Sequence, residues 1–170
     1  MNNNPTITIL TGGVGAEREI SIATSKALAT SLIKGFDVTL IDIKKEELPS
    51  NIDADKTIVF PAIHGTFGED GTLQSLLEEK GIIYSGSNSA SSRLCMNKFK
   101  SKKVVFEVGV RVAEDLSFND PNELNIADIL SQLGQDLVIK PIDQGSSVAL
   151  YVLKGEKELR CTLETLPHGN

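Results

Sequence analysis

Two kinds of apolar repeat alternate along this chain. Thr6–Leu10 (TITIL) is a short β-rich run that ends in glycines. From Glu17 to Lys34 the period becomes helical: Ile20, Ala23, Ala27, Leu28 and Leu32 share one stripe, and Gly35 stops it. Val38–Ile43 and Thr57–Ile63 are further strands, separated by a polar connector carrying Pro49. Leu73, Leu76 and Leu77 lie on one face of a helix that Gly81 closes, and Ile82–Tyr84 is a short strand. The order β-α-β-β-α-β predicts an α/β fold with an open, mostly parallel sheet covered by helices. Pro61 counts against a mid-sheet position for the end of the third strand.

The pattern changes after residue 84. Residues 85–92 (SGSNSASS) read as a connector into a second unit, and Asn97–Glu107 is helical and basic. Asp120-Pro121-Asn122-Glu123 has the form of a helix start, with an Asp cap, Pro in the first turn and Glu at the third position, and that helix runs to about Leu133. Leu137–Lys140 and Val148–Leu153 read as strands joined by a loop containing PIDQGSS, and a last helix begins near Glu156. This divides the chain into an α/β unit over 1–95 and a smaller α+β unit over 96–170. Two strands alone make a marginal sheet, so the second unit either leans on the first or belongs to something longer.

Composition narrows the classes. The chain has 170 residues, enough for a substantial core, and its net charge of −6 gives bulk nucleic-acid binding no electrostatic support. One basic cluster stands against that balance: Arg93, Lys98, Lys100, Lys102 and Lys103, which by itself reads as a solvated helix face. Two cysteines outside any CxxC pair fit a reducing compartment. No apolar run reaches membrane-spanning length, so a cytoplasmic location with no membrane partner is expected.

Three glycine-rich loops carry the candidate chemistry. The first, Thr11–Glu17 (TGGVGAE), sits between a strand and a helix, where free N–H groups favour an anion. It lacks the dinucleotide fingerprint, because Arg18 stands where the third glycine belongs, and it lacks the Gly-Lys-Ser/Thr of a P-loop. Glu17 occupies the place a phosphate would want, which points to a cation such as an amine; the plainer reading is an acid favoured in a first helical turn. The second loop places His64 at the carboxyl end of a strand, followed by Gly65, Gly68 and Gly71, with Glu69 and Asp70 before the next helix. Asp70 reads most simply as a helix cap. The third loop sets Lys140 at a strand end before Gly145-Ser146-Ser147, a combination of charge, close backbone approach and donors that suits phosphate, or else an ordinary hairpin turn.

Taken together, GGVGAEREISIATSKAL, HGTFGEDGTLQSLLEEKGIIYSGSNSASSRLCMNKFKSK and VIKPIDQGSSVAL resemble the D-alanine–D-alanine ligases, an ATP-grasp family, in that order and at that spacing. The likeness covers nearly the whole chain, as a Rossmann-like N-terminal domain and the first part of an ATP-binding central domain. It implies that ATP phosphorylates the carboxylate of one D-alanine and that the amine of a second displaces phosphate, giving the dipeptide for peptidoglycan. Most of that catalysis is positioning and charge neutralisation.

The resemblance assigns roles to single residues. It implies that Glu17 holds the ammonium of the first D-alanine, that His64 lies beside that substrate with Glu69 orienting it, and that Lys98 and Lys140 grip ATP phosphates. It implies that Ser146 bonds the substrate-side glutamate and that Gly145, Ser147 and neighbouring amides close over the phosphates. Ala149 stands where the family usually has glycine. Mg²⁺ ligands, adenine contacts and acceptor contacts are expected outside these 170 residues, which alone are not expected to turn over ATP; D-lactate or D-serine as acceptor, or a non-catalytic binding module, are the alternatives. A homodimer is a further expectation of the resemblance.

Overall fold

The computed structural model describes residues 6–167, so MNNNP at one end and HGN at the other lie outside the described residues. The described residues fall into two compact units that divide between Asn97 and Lys98.

The first unit is a four-stranded parallel sheet in the order β2-β1-β3-β4, from β1 (Thr6–Gly12), β2 (Val38–Ile43), β3 (Thr57–Pro61) and β4 (Ile83–Tyr84). β1 is central and almost wholly buried, as expected of a parallel strand covered on both faces. Leu10 and Val59 face one side, where Leu73 and Leu77 of α2 (Thr72–Glu79) are fully buried against them. Each of those leucines contributes about 1.5–3 kcal/mol of burial. Ile7 and Ile9 face the other side, under Leu28, Ala29 and Leu32 of α1 (Arg18–Leu32). The order reverses direction beside β1, so the carboxyl ends of β1 and β3 border the crevice in which such sheets bind ligands.

Three sequence expectations change here. Helix α1 packs only the far end of the predicted stripe, Leu28 and Leu32, against the sheet; Ile20 is 53% exposed, and Ser21 and Ser25 are the fully buried residues. The Ser21 hydroxyl donates to the Ala62 carbonyl at 2.6 Å and accepts the Gly12 N–H at 2.9 Å, so a polar side chain satisfies two strand-end groups that an isoleucine would leave unpaired. Pro61 does sit inside a four-stranded sheet. Ala62 N–H bonds back to Leu10 and Val59 C=O accepts from Ser85, so the donor that proline lacks falls on the β4 side, beyond Tyr84, where pairing has ended. The run read as a connector contains α3 (Ser89–Met96), capped by the Asn88 side chain, which accepts from Ser91 N–H at 2.8 Å.

The second unit holds α4 (Lys98–Glu107), a 3₁₀ turn (Pro121–Glu123), α5 (Ile126–Leu133), the antiparallel pair β5 (Asp136–Ile139) and β6 (Tyr151–Lys154), and α6 (Gly155–Thr165). Its core is Ile129, Leu137, Leu153, Leu159 and Leu163, where α5 and α6 cover one face of the hairpin. Asp120 does not open the long helix the sequence predicts. It accepts from Asn122 N–H and starts only the 3₁₀ turn, after which Asn125 caps α5 by accepting from Ala127 and Asp128 N–H groups. The cap that wins is the one that puts Ile126, Ile129, Leu130 and Leu133 onto this core. The final strand is also shorter than expected, beginning at Tyr151. Among the described residues no helix is long and apolar enough to cross a membrane.

Candidate functional site

In the first unit the loop after β1 is fixed at several points. Gly12 and Gly13 have φ of +83° and +93°, and a Cβ on Gly12 would run into the Asp42 carboxylate and the Arg18 guanidinium. Gly13 N–H bonds to the Ile43 carbonyl at 2.9 Å. Glu17 ends the loop at the N-cap position of α1, yet its side chain makes no capping bond. Its carboxylate instead lies against the α-carbon of Gly65, where a Cβ would stand 2.8 Å from Oε2. The Glu17 side chain thus reaches past its own helix start to the turn that follows His64.

His64 follows β3 on the same edge. Its Nε2 is 3.2 Å from the Thr24 hydroxyl on α1, and its Nδ1 is 3.6 Å from Glu69 Oε1. The other Glu69 oxygen accepts the Gly65 N–H at 2.8 Å, so this carboxylate, lying near the ring, fixes the turn that follows it. The sequence marks Thr24 only by its position two turns along the helix from Glu17.

Asp70 accepts from the Phe67 and Thr72 N–H groups and so folds the turn before α2, much as a cap. Burial opposes its charge, but those bonds and the nearby Arg93 hold its carboxyl below the usual range. Buried Phe67 takes a left-handed φ of +69°, a strained conformation for an aromatic residue. Glu78 then ties α2 to β4 and α3, accepting from the Tyr84 hydroxyl at 2.6 Å and from Ser89 N–H at 2.8 Å.

In the second unit Lys98 and Lys140 converge on the loop after β5. Lys98 Nζ donates to the carbonyls of Gln144 at 2.5 Å and Ile142 at 3.2 Å, and its N–H donates to Ile142 as well. Burial, then the charge of Lys140, lower the Lys98 pKa, against the pull of Asp143. Gly145, Ser146 and Ser147 are exposed beyond them. Ser146, Ser147 and Ala149 all have left-handed φ, between +50° and +58°. The remaining basic cluster is divided: Lys102 pairs with Asp115 at 2.7 Å in this unit, while Arg93 belongs to α3 of the first.

Two open cavities, of about 460 Å³ beside Asn125 and Arg160 and about 360 Å³ between Asp42 and Ser50, take none of these candidate side chains. Among the described residues no three His, Cys, Asp or Glu side chains gather as metal ligands.

A four-stranded parallel sheet with a carboxylate and a histidine at its carboxyl edge, and a unit built on a two-stranded hairpin, define an α/β protein. The sequence family described as D-ala D-ala ligase N-terminus matches residues 44–87. A D-alanine–D-alanine ligase of Clostridium beijerinckii is 38% identical over 154 residues, which is 90% of this chain and 51% of that protein. The crystal structure of a D-alanine–D-alanine ligase from Bacillus anthracis complexed with ATP matches at 34% identity and a TM-score of 0.81, over 96% of this chain and 53% of that one. A D-Ala:D-Ser ligase from Enterococcus faecalis matches at 26% identity and 0.79, over 95% and 59%. The chain belongs to the D-alanine–D-alanine ligase family, and it spans about half the length of the curated relatives it matches.

Proposed function

We propose that this chain contributes the first-substrate pocket and the phosphate grip of an ATP-dependent ligase that joins two D-alanines. The observation that carries this reading is the Glu17 carboxylate lying over Gly65, one residue from His64, at the carboxyl edge of a parallel sheet. A carboxylate not used to cap its own helix suits the ammonium of an amino acid, and His64 is braced to face the same substrate. On the nucleotide side Lys98 and Lys140 supply the charge, and Gly145, Ser146, Ser147 and the adjacent amides supply the donors.

The reaction balances as two displacements. A carboxylate oxygen of the first D-alanine attacks the γ-phosphorus of ATP, and ADP departs. The amine of the second D-alanine attacks the acyl phosphate, phosphate departs with the former C–O bond electrons, and a proton leaves the nitrogen. Glu17 and His64 orient the acid, and the two lysines neutralise the oxygens that approach it. The acceptor is the open part of this reading. The neighbour named for D-serine superposes almost as well as the one named for D-alanine, so the fold of this chain does not separate the two acceptors.

The test is affinity in the intact protein. Lys140→Ala should weaken ATP at least about tenfold, which is about 1.4 kcal/mol, and leave D-alanine unchanged. Glu17→Gln should do the reverse. Unchanged ATP affinity in the first variant removes the phosphate role, and unchanged D-alanine affinity in the second removes the ammonium role.

A further inference from the structure

Arg18 stands where a dinucleotide loop would have its third glycine, and the two displacements leave it without a task. Its guanidinium reaches three groups from two sides. Nη1 donates to the carbonyls of Gly13 at 3.1 Å and Ile43 at 3.2 Å, and Nη2 donates to the Asp42 carboxylate at 2.7 Å. Gly13 belongs to the loop that leads to Glu17, whereas Asp42 and Ile43 end strand β2. The Gly13 N–H bonds to the same Ile43 carbonyl, so one strand end anchors the loop through both its amide and its carbonyl. The space over Gly12 is filled by Asp42 and Arg18 themselves, which makes glycine there a requirement of the clamp.

We propose that Arg18 is a positioning residue for the first-substrate carboxylate: the Arg18–Asp42 clamp fixes the loop whose end places Glu17 over Gly65. This rests on the reading of Glu17 as an ammonium anchor. Arg18 adjoins Glu17, and its bonds to the Gly13 and Ile43 carbonyls tie the start of the helix back to the beginning of the loop, so the segment that carries Glu17 is held at both ends. The clamp also settles a problem of charge. A guanidinium next to the anchor would compete with a substrate ammonium, and here the Arg18 charge is answered by Asp42 and, at longer range, by Glu19. Lysine could not replace it, because one ammonium lacks the planar fork that spans a carboxylate and two carbonyls.

The experiment uses steady-state kinetics of the intact protein, with KM for the first D-alanine, KM for ATP and kcat read separately. Arg18→Met should raise the D-alanine KM by between about tenfold and a hundredfold, the scale of a placement error near one ångström, with the ATP KM unchanged. Arg18→Lys should not rescue it. Asp42→Asn, a surface change that keeps both carbonyl bonds, should raise the same KM by a smaller factor, and the double variant should match Arg18→Met alone. The proposal is overturned if the D-alanine KM stays within about twofold in Arg18→Met, or if both KM values rise by one factor, the mark of a general loss of structure. Should Arg18→Met fail to fold, Asp42→Asn decides alone: an unchanged D-alanine KM overturns the clamp. Glu17→Gln separates the two levels of inference. If it leaves the D-alanine KM unchanged the anchor itself is wrong, and if it raises that KM while the Arg18 and Asp42 variants do not, only the clamp is wrong.

Discussion

The glycine-bearing loops of the two units are held in opposite ways. In the first unit the left-handed positions at Gly12, Gly13, Gly65 and Gly71 fall on glycines, with Phe67 the one strained exception, and neighbouring atoms occupy the space a side chain would need at those glycines. In the second unit Gly145 has an ordinary φ with open space around it, while Ser146, Ser147 and Ala149 take the left-handed conformation. Each of those costs of order 1 kcal/mol. The loops of the first unit are thus built mostly from residues that suit their shape, with buried serine and arginine bonds securing the one after β1. The loop of the second unit is held uphill, by Lys98 donating to two of its carbonyls and by turn bonds from Val148 N–H to Gly145 and from Leu150 N–H to Ser147. An anionic group entering there competes for the same donor, so the second loop is the one expected to be reshaped by its ligand.

The sharpest way to break this comparison is to add a methyl group to each loop. Gly71 has φ of +87°, and a Cβ there would overlap the Ser89 carbonyl while lying 3.2 Å from Arg93 N. Gly71→Ala should cost about 3 kcal/mol, from strain and overpacking together. Gly145→Ala should stay within about 0.5 kcal/mol. Urea midpoints of the two variants measure the difference, and equal losses would remove the distinction between the loops.

A smaller effect sharpens the picture of how the first unit is tied together. Tyr84 is pushed up to about 12, by burial and then by its bond to Glu78, whose carboxyl is held low by bonds from Ser89 and Tyr84. For Tyr84 the folded value lies above the unfolded one, so its contribution to stability is complete below about pH 10 and is lost as pH rises towards about 12. For Glu78 the sign reverses: its contribution is present above the unfolded carboxyl value of 4.5 and is lost as pH falls through the lower folded one. Phenolate absorbance should therefore show one tyrosine ionising near 12, and Glu78→Gln should bring that transition down. An unmoved transition would show that the bond contributes nothing.

How legible is this in the sequence? The strands of the parallel sheet and their order of appearance are readable because each is a short apolar run between turn residues, and β1 is apolar enough to be buried on both faces. The first turn of α1 is not, since period alone favours Ile20 over Ser21, and only the strand-end groups of β1 and β3 explain a buried serine; further along, Leu28 and Leu32 of the same stripe do pack on the sheet. The helix at Ser89 is masked by a composition that also suits a connector, although Asn88 three residues before Ser91 is a readable cap. Asp120 and Asn125 are both good caps, and the choice between them is made by the core of the second unit. At the candidate site, the placement of Glu17 and His64 beyond strand ends is legible. The contacts of Arg18 and Thr24 are not, because their partners lie 24 and 40 residues away.

The smallest expected effect tests the second loop on its own terms. Ala149 holds φ of +50° in the exposed run that follows Lys140, at a position where the resemblance leads one to expect glycine. Ala149→Gly relieves about 1–2 kcal/mol of left-handed strain in the folded chain. It also restores about 0.4–1 kcal/mol of freedom to the unfolded chain. The net is a gain of about 0.5 kcal/mol, the opposite sign from a glycine placed in a regular element. The same substitution frees the loop to adopt a second shape, so the Lys98 amine spends less time on Ile142 and Gln144. The denaturation midpoint should rise slightly while amide exchange across 143–149 becomes faster. A lower midpoint would mean that the left-handed position at Ala149 carries no net strain, and the contrast between the loops would then lie in their exposure alone.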